Sequence, residues 1–174
     1  MMLVIEVPSS KLENGLTLID TPGVGGLDSR HLYLTLYVLP KADIVFFMID
    51  AGEPLSSTEL DFYKEKIVRY SKKNIVVFNK ADLKTKEEVN QLIEDAKNKI
   101  SEHCEIEAPT IVPVSSAHWK MYNSSGSEKM RQSSHCDEVN EIVYTLIPEY
   151  RKELLSSAKG LLVKAIQEVL QNLF

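Results

Sequence analysis

Four short apolar runs, at residues 16–20, 44–50, 75–79 and 110–115, are spaced along the chain with helical patterns between them. The middle two, "IVFFMID" and "IVVFN", hardly alternate and are rich in Val, Ile and Phe. Runs of that kind suit strands covered on both faces, as in a parallel sheet. Parallel neighbours need long crossovers, usually helical. Ser56 and Glu59 have capping-box spacing, followed by Leu60, Tyr63, Ile67 and Tyr70 on one face. Thr85 and Glu88 repeat the signal ahead of Val89, Leu92, Ile93, Ala96 and Ile100. Residues 31–39 read as a further helix that ends before Pro40, and "LVIEVP" near the start as a weaker fifth strand. The alternation predicts an open α/β sheet with right-handed crossovers.

A length of 174 residues suits one domain with a small appendage, and 44% apolar with 26% charged residues can build a packed core. A net charge of -5 gives no drive toward DNA or RNA. Cys104 and Cys136 are too few and too far apart for a disulfide framework, so a reducing, cytoplasmic compartment fits. Each follows a histidine, but neighbouring side chains point apart and C-x-x-C spacing is missing, which argues against zinc. The start of the chain lacks the basic residues of a signal peptide. The longest apolar run, "ADIVFFMIDA", is far shorter than the roughly 20 residues of a membrane helix.

Residues 120–134, "KMYNSSGSEKMRQSS", are polar with five serines and read as a mobile surface loop. Residues 137–147 read as a helix punctuated by Pro148. Leu155, Ala158, Leu162, Ala165 and Val169 then step by three and four, as in a coiled coil. That helix either lies on the domain's own surface or docks elsewhere. The division expected is residues 1–148 and 149–174.

Ligands of open α/β sheets bind beyond the carboxyl ends of the strands. Three of the four runs end on polar signals: Asp20-Thr21-Pro22-Gly23, Asn79-Lys80-Ala81-Asp82 and Ser115-Ser116-Ala117. In this order and on successive strand ends, they resemble the motifs of the translation-factor-related P-loop GTPases. Within that superfamily, "GLTLIDTPGVGGLDSRH", "LPKADIVFFMIDAGEPLSSTELDFYKEKI" and "VVFNKADL" are most similar to bacterial dynamin-like proteins. The similarity covers most of residues 1–119 and, more loosely, the last helix.

The resemblance implies a three-layer, mostly parallel α/β sheet, guanine nucleotide as ligand, and GTP with magnesium as the reacting pair. Asp20 would hold the ion through a water. Gly23 would bring a backbone N–H to the γ-phosphate, and Gly25 and Gly26 would make the next segment pliable. The two oxygens of Asp82 can accept from guanine's ring N–H and amine, a match adenine lacks. Asn79 would brace the loop, and the Lys80 stem would lie over the purine. The Ala117 N–H would meet the guanine oxygen and Ser116 would fix that loop, though Ser115-Ser116 leaves the register open by one.

Two departures matter. Val24 stands where Ras-like relatives place a water-orienting glutamine; dynamin-like proteins also lack it. More important, no G-x-x-x-x-G-K-[ST] occurs in the 174 residues, nor a matching first-switch threonine. The chain is therefore expected to begin near the family's second strand, lacking the first strand and the phosphate-loop helix. The strands at 16–20 and 44–50 then either pair directly or receive a strand from another chain.

Two functions follow. The chain is part of a dynamin-like GTPase that couples hydrolysis to assembly on membranes, itself binding GTP weakly without turnover. Alternatively it is a non-catalytic partial domain that docks onto a dynamin-like partner. Either way any membrane attachment is peripheral and comes through the complete protein.

Overall fold

The computed structural model describes residues 16–21, 29–71 and 73–171. The expected strand "LVIEVP" and the segment from Pro22 to Asp28 lie outside the described residues. The chain divides into two compact units, one of them Asp20–Asn140 and the other containing Glu141 onward.

Asp20–Asn140 is built on three parallel strands in the order β1-β2-β3: Val45–Asp50, Asn74–Asn79 and Thr110–Pro113. β2 is central, and Ile75, Val76, Val77 and Phe78 are all buried, so it is covered on both faces as its unbroken apolar run predicts. β1 departs from that expectation. Phe47 and Ile49 are buried while Met48 between them is 57% exposed. Among the described residues β1 pairs only with β2, so one of its edges is unpaired, and the face that carries Met48 is open.

The first expected strand does not form. Residues 16–21 have no regular secondary structure, with Leu18 63% and Ile19 49% exposed. β preference mostly reflects packing and pairing with a neighbour, and among the described residues no ladder receives this run. The apolar pattern was present without the partner that makes it a strand.

Helices cover the face of the sheet that carries Phe47, Ile49, Val76, Phe78 and Ile111. α1 (Ser29–Val38) runs into a 3₁₀ turn at Leu39–Lys41, where Pro40 removes a backbone donor. α2 (Ser57–Phe62) and α3 (Lys86–Cys104) both open on reciprocal capping boxes, Ser56 with Glu59 and Thr85 with Glu88. A π-turn at Tyr63–Val68 extends α2 and sets Tyr63 and Ile67 into the core. Tyr63 packs 5.4 Å from Phe47, and its hydroxyl donates to Asn74 at the start of β2. Burial pushes the Tyr63 phenol well above its ordinary range. Cys104 lies in the same core.

The serine-rich stretch is helical, contrary to the loop expected. α4 (Ser116–Ser125) and α5 (Glu128–Ser134) pack on one another around the left-handed Gly126. The serine hydroxyls bond back to carbonyls of their own turn: Ser125 to Met121 at 2.6 Å and Ser134 to Arg131 at 2.6 Å. Ser133 meets His118 at 3.0 Å, and Arg131 bridges to Glu128 and Asp137. Serine content suggested a loop because hydroxyls compete with the ladder; here they add to it.

The other unit carries a π-turn at Ile142–Leu146 and the 25-residue α7 (Ile147–Gln171). Pro148 does not end the helix. It falls in the first turn of α7, where its missing N–H matters least, and the widened turn lies just before it.

Candidate functional site

Parallel strands end at one edge, so β1, β2 and β3 deliver Asp50, Asn79 and the Val114–Ser116 stretch to a common rim. Asn79, Lys80, Asp82, Leu83, Ser116, Ala117 and Lys120 line one cavity there of about 450 Å³. Five of these are residues singled out in the sequence.

Asn79 ties two loops together with one oxygen. Its Oδ1 accepts from the Ser116 N–H at 3.1 Å, the Ser116 hydroxyl at 2.9 Å and the Lys80 N–H at 2.8 Å. Lys80 follows in a left-handed conformation, φ 64° and ψ 29°. That conformation costs a side-chain-bearing residue roughly 1–2 kcal/mol. Several bonds hold it: Lys80 N–H to Asn79, Ala81 N–H to the Val114 carbonyl at 3.0 Å, and Leu83 N–H to the Lys80 carbonyl at 3.1 Å.

The Lys80 ammonium reaches sideways to the Asp50 carboxylate at the end of β1, 2.5 Å away. The Gly52 N–H donates to the other Asp50 oxygen at 2.8 Å. Lys80 first, then the Gly52 amide, hold the Asp50 carboxyl below its ordinary value, and Asp50 raises Lys80 in return.

Asp82 sits in the 3₁₀ turn Ala81–Leu83. Its Oδ1 is buried with no hydrogen-bond partner among the described residues. A buried acceptor left unpaired costs about 1–3 kcal/mol. Across the cavity, Ser115 caps α4: its Oγ accepts from the His118 N–H at 3.0 Å. Ser115 is buried and Ser116 faces Asn79. Ala117 falls in the first turn of α4, where backbone N–H groups have no intrahelical acceptor. One wall therefore carries Asp82 and the other the first turn of α4.

Asp20 is not among the residues that line this cavity; it is exposed and lies in no regular element. Gly23, Val24, Gly25 and Gly26 lie outside the described residues. Sequence reasoning missed Leu83, Lys120 and Asp50. Lys120 follows Ala117 by one helical turn, a relation hidden when residues from 120 onward are read as loop. Asp50 ends an apolar run as plainly as Asn79 does, and its place beside Lys80 follows from strand order.

Residues 3–81 match the dynamin-family model. The isoniazid-induced protein IniA of Mycobacterium tuberculosis is 44% identical over 66 residues, 37% of this chain and 10% of IniA. An oligomerised bacterial dynamin pair, described as a mechanism for long-range sensing and tethering of membranes, superposes with a TM-score of 0.60 at 22% identity. That match covers 88% of this chain and 29% of the dynamin. A variant of Aquifex aeolicus Era bound to GDP and aluminium fluoride superposes with a TM-score of 0.55 at 25% identity, covering 75% and 38%. The chain thus spans well under half the length of these relatives.

Proposed function

We propose that this chain, whose residues 3–81 match the dynamin-family model, is the guanine-reading part of a dynamin-like GTPase. The observation that carries the reading is the cavity that brings Asn79, Lys80 and Asp82 together with Ser116 and Ala117, beside an Asp82 oxygen that no protein donor meets among the described residues. Guanine presents two adjacent donors, its ring N–H and amine, beside a carbonyl oxygen. Asp82 accepts from the donors and Ala117 donates to the oxygen. Adenine offers neither pair in that order, so it leaves the carboxylate unpaired. Asn79 fixes both loops, and the Lys80 stem forms a floor under the purine.

Magnesium takes about six oxygen ligands and keeps several waters. Asp20 is one exposed carboxylate, and among the described residues no cluster of three or more acidic, His or Cys side chains stands ready for a metal. Asp20 by itself does not make a magnesium site. The triphosphate likewise has no G-x-x-x-x-G-K-[ST] to grip it within these 174 residues. A base site alone contributes a few hydrogen bonds of about 1 kcal/mol each, a Kd on the order of 1 mM. The chain by itself therefore binds GTP weakly and does not turn it over. In the complete protein, GTP binding and hydrolysis drive membrane-associated assembly. Among the described residues, no helix is long and apolar enough to cross a membrane.

Titration of the isotope-labelled chain with GDP, followed by NMR, tests the reading. Shifts at Ser116 and Ala117 that saturate in the millimolar range, with none for ADP, are expected. A submicromolar GTP affinity refutes the weak-binding claim, and equal response to ADP refutes the base site. Co-expression with a phosphate-loop fragment of a dynamin relative probes the whole site. Turnover that appears and is then lost on Asp82→Ala supports a shared centre; no turnover favours a docking role.

A further inference from the structure

The sequence motifs account for Asn79, Lys80, Asp82, Ser116 and Ala117 but not for Asp50. Asp50 is held at both oxygens. Its Oδ1 receives the Gly52 N–H at 2.8 Å, and its Oδ2 receives the Lys80 ammonium. Gly52 allows that turn: a Cβ there would stand 3.1 Å from Asp50 Oδ1, closer than side chains normally tolerate. The carboxylate is thus aimed by its own turn before it meets the lysine. Asp50 also pairs in register with Asn79, so the ammonium of the next residue can reach it across one strand spacing.

Lys80 is pinned at its backbone by Asn79 and at its tip by Asp50. A long, flexible side chain free at its tip samples many rotamers, and ordering it on binding costs affinity. We propose that Asp50 is a positioning residue for the nucleobase site: it holds the Lys80 side chain extended across the strand ends, so the aliphatic stem is already laid down as the floor of the cavity. The inference rests on the guanine-reading function proposed above. It adds a third strand end to the site, and predicts that base affinity depends on a residue outside the cavity lining.

The test uses the full chain and GDP as the probe, with Asp50→Asn, Lys80→Met and the double variant. Asp50→Asn keeps size and the Gly52 bond but weakens the hold on the ammonium. It is expected to weaken GDP binding roughly threefold to fivefold, the range open to an exposed charge pair. Lys80→Met keeps an apolar stem, and the double variant is expected to bind no worse than Lys80→Met alone, because the two residues act as a unit. Asp50→Glu is expected to recover part of the loss. A second readout is the Asp50 side-chain carboxyl ¹³C titration. It should run below the ordinary range in the parent chain and move upward in Lys80→Met. An unchanged GDP Kd in Asp50→Asn, or additive losses in the double variant, overturns the inference and leaves the base site standing. GDP binding that survives Asp82→Ala overturns the base site and the inference together.

Discussion

Asp82 is the residue at which the proposed function and stability pull in opposite directions. Its Oδ1 is buried without a partner among the described residues. An unpaired buried acceptor costs about 1–3 kcal/mol relative to a solvated one. Asp82→Ala removes that acceptor and leaves a helix-favouring residue in a short 3₁₀ turn whose backbone bonds, Leu83 N–H to Lys80 and Lys84 N–H to Ala81, are untouched. The ligand-free chain should gain about 1 kcal/mol, the low end of the penalty, since the carboxylate's other oxygen loses its solvation. For a chain of 174 residues this corresponds to a rise in Tm of about 2–4 °C. Calorimetry of the ligand-free chain reads it directly. In the proposed base-reading role, the same substitution removes two charge-assisted bonds, about 3 kcal/mol or roughly a hundredfold in Kd. The millimolar GDP response should vanish. Asp82→Asn sharpens the point, because it puts an amide donor where an acceptor stood and should favour a purine with a carbonyl in place of guanine's amine. A fall in Tm of several degrees for Asp82→Ala would show that the carboxylate serves the fold, and would refute the reasoning that it is kept for a ligand.

Four further outcomes follow from the fold. Thr85→Ala removes the hydroxyl that accepts the Glu88 N–H at 3.2 Å, and is expected to cost about 1 kcal/mol in urea unfolding. The Thr85 backbone and hydroxyl hold the Glu88 carboxyl below its ordinary 4.5, so that contribution is full above this pH and lost as pH falls through the lower folded value; an acid titration by circular dichroism should show a weaker acid-side dependence in the variant. Gly126→Ala forces a side chain into φ 69° with open space around it, and should cost about 1 kcal/mol of stability through backbone strain alone, read as a lower Tm. Hydrogen exchange should find the amides of Met121–Ser125 protected, where a mobile loop would leave them fast. Tyr63→Phe leaves the Asn74 side chain short of its donor and should destabilise by about 1 kcal/mol in urea unfolding.

What could be read in the sequence was what depends on local pattern. The two capping boxes, the buried run of β2, and the grouping of Asn79, Lys80, Asp82, Ser116 and Ala117 are all set by residues close in sequence plus strand order. What could not be read depends on a neighbour. Residues 16–20 have the composition of a strand, yet a strand is a pairing, and the exposure of Leu18 and Ile19 reports its absence among the described residues. Met48 tells the same story on β1, where sequence cannot distinguish a covered face from an open one. The serines of α4 and α5 misled for another reason. Whether a hydroxyl opposes a helix or joins it depends on what else holds the turn, here the Ser115 cap, the Gly126 stop and the His118–Ser133 bond.

Register explains how so small a sheet gathers a polar rim. β1 and β2 are paired Asp50 to Asn79, and β2 and β3 are paired Phe78 to Pro113, with the ladder continued by the Val114 N–H to the Phe78 carbonyl at 2.7 Å. Those pairings put Asp50, Asn79 and Val114 abreast, roughly 4.8 Å apart from strand to strand. Lys80 can then reach Asp50 on one side while Asn79 reaches Ser116 on the other. A slip of one residue on β1 would set Ile49 opposite Asn79 and turn the carboxylate to the other face. The buried Phe47 and Ile49 oppose that slip, since it would carry them out of the core and expose them in place of Met48. The hydrophobic pattern that holds the sheet in register therefore also fixes the polar network at its edge.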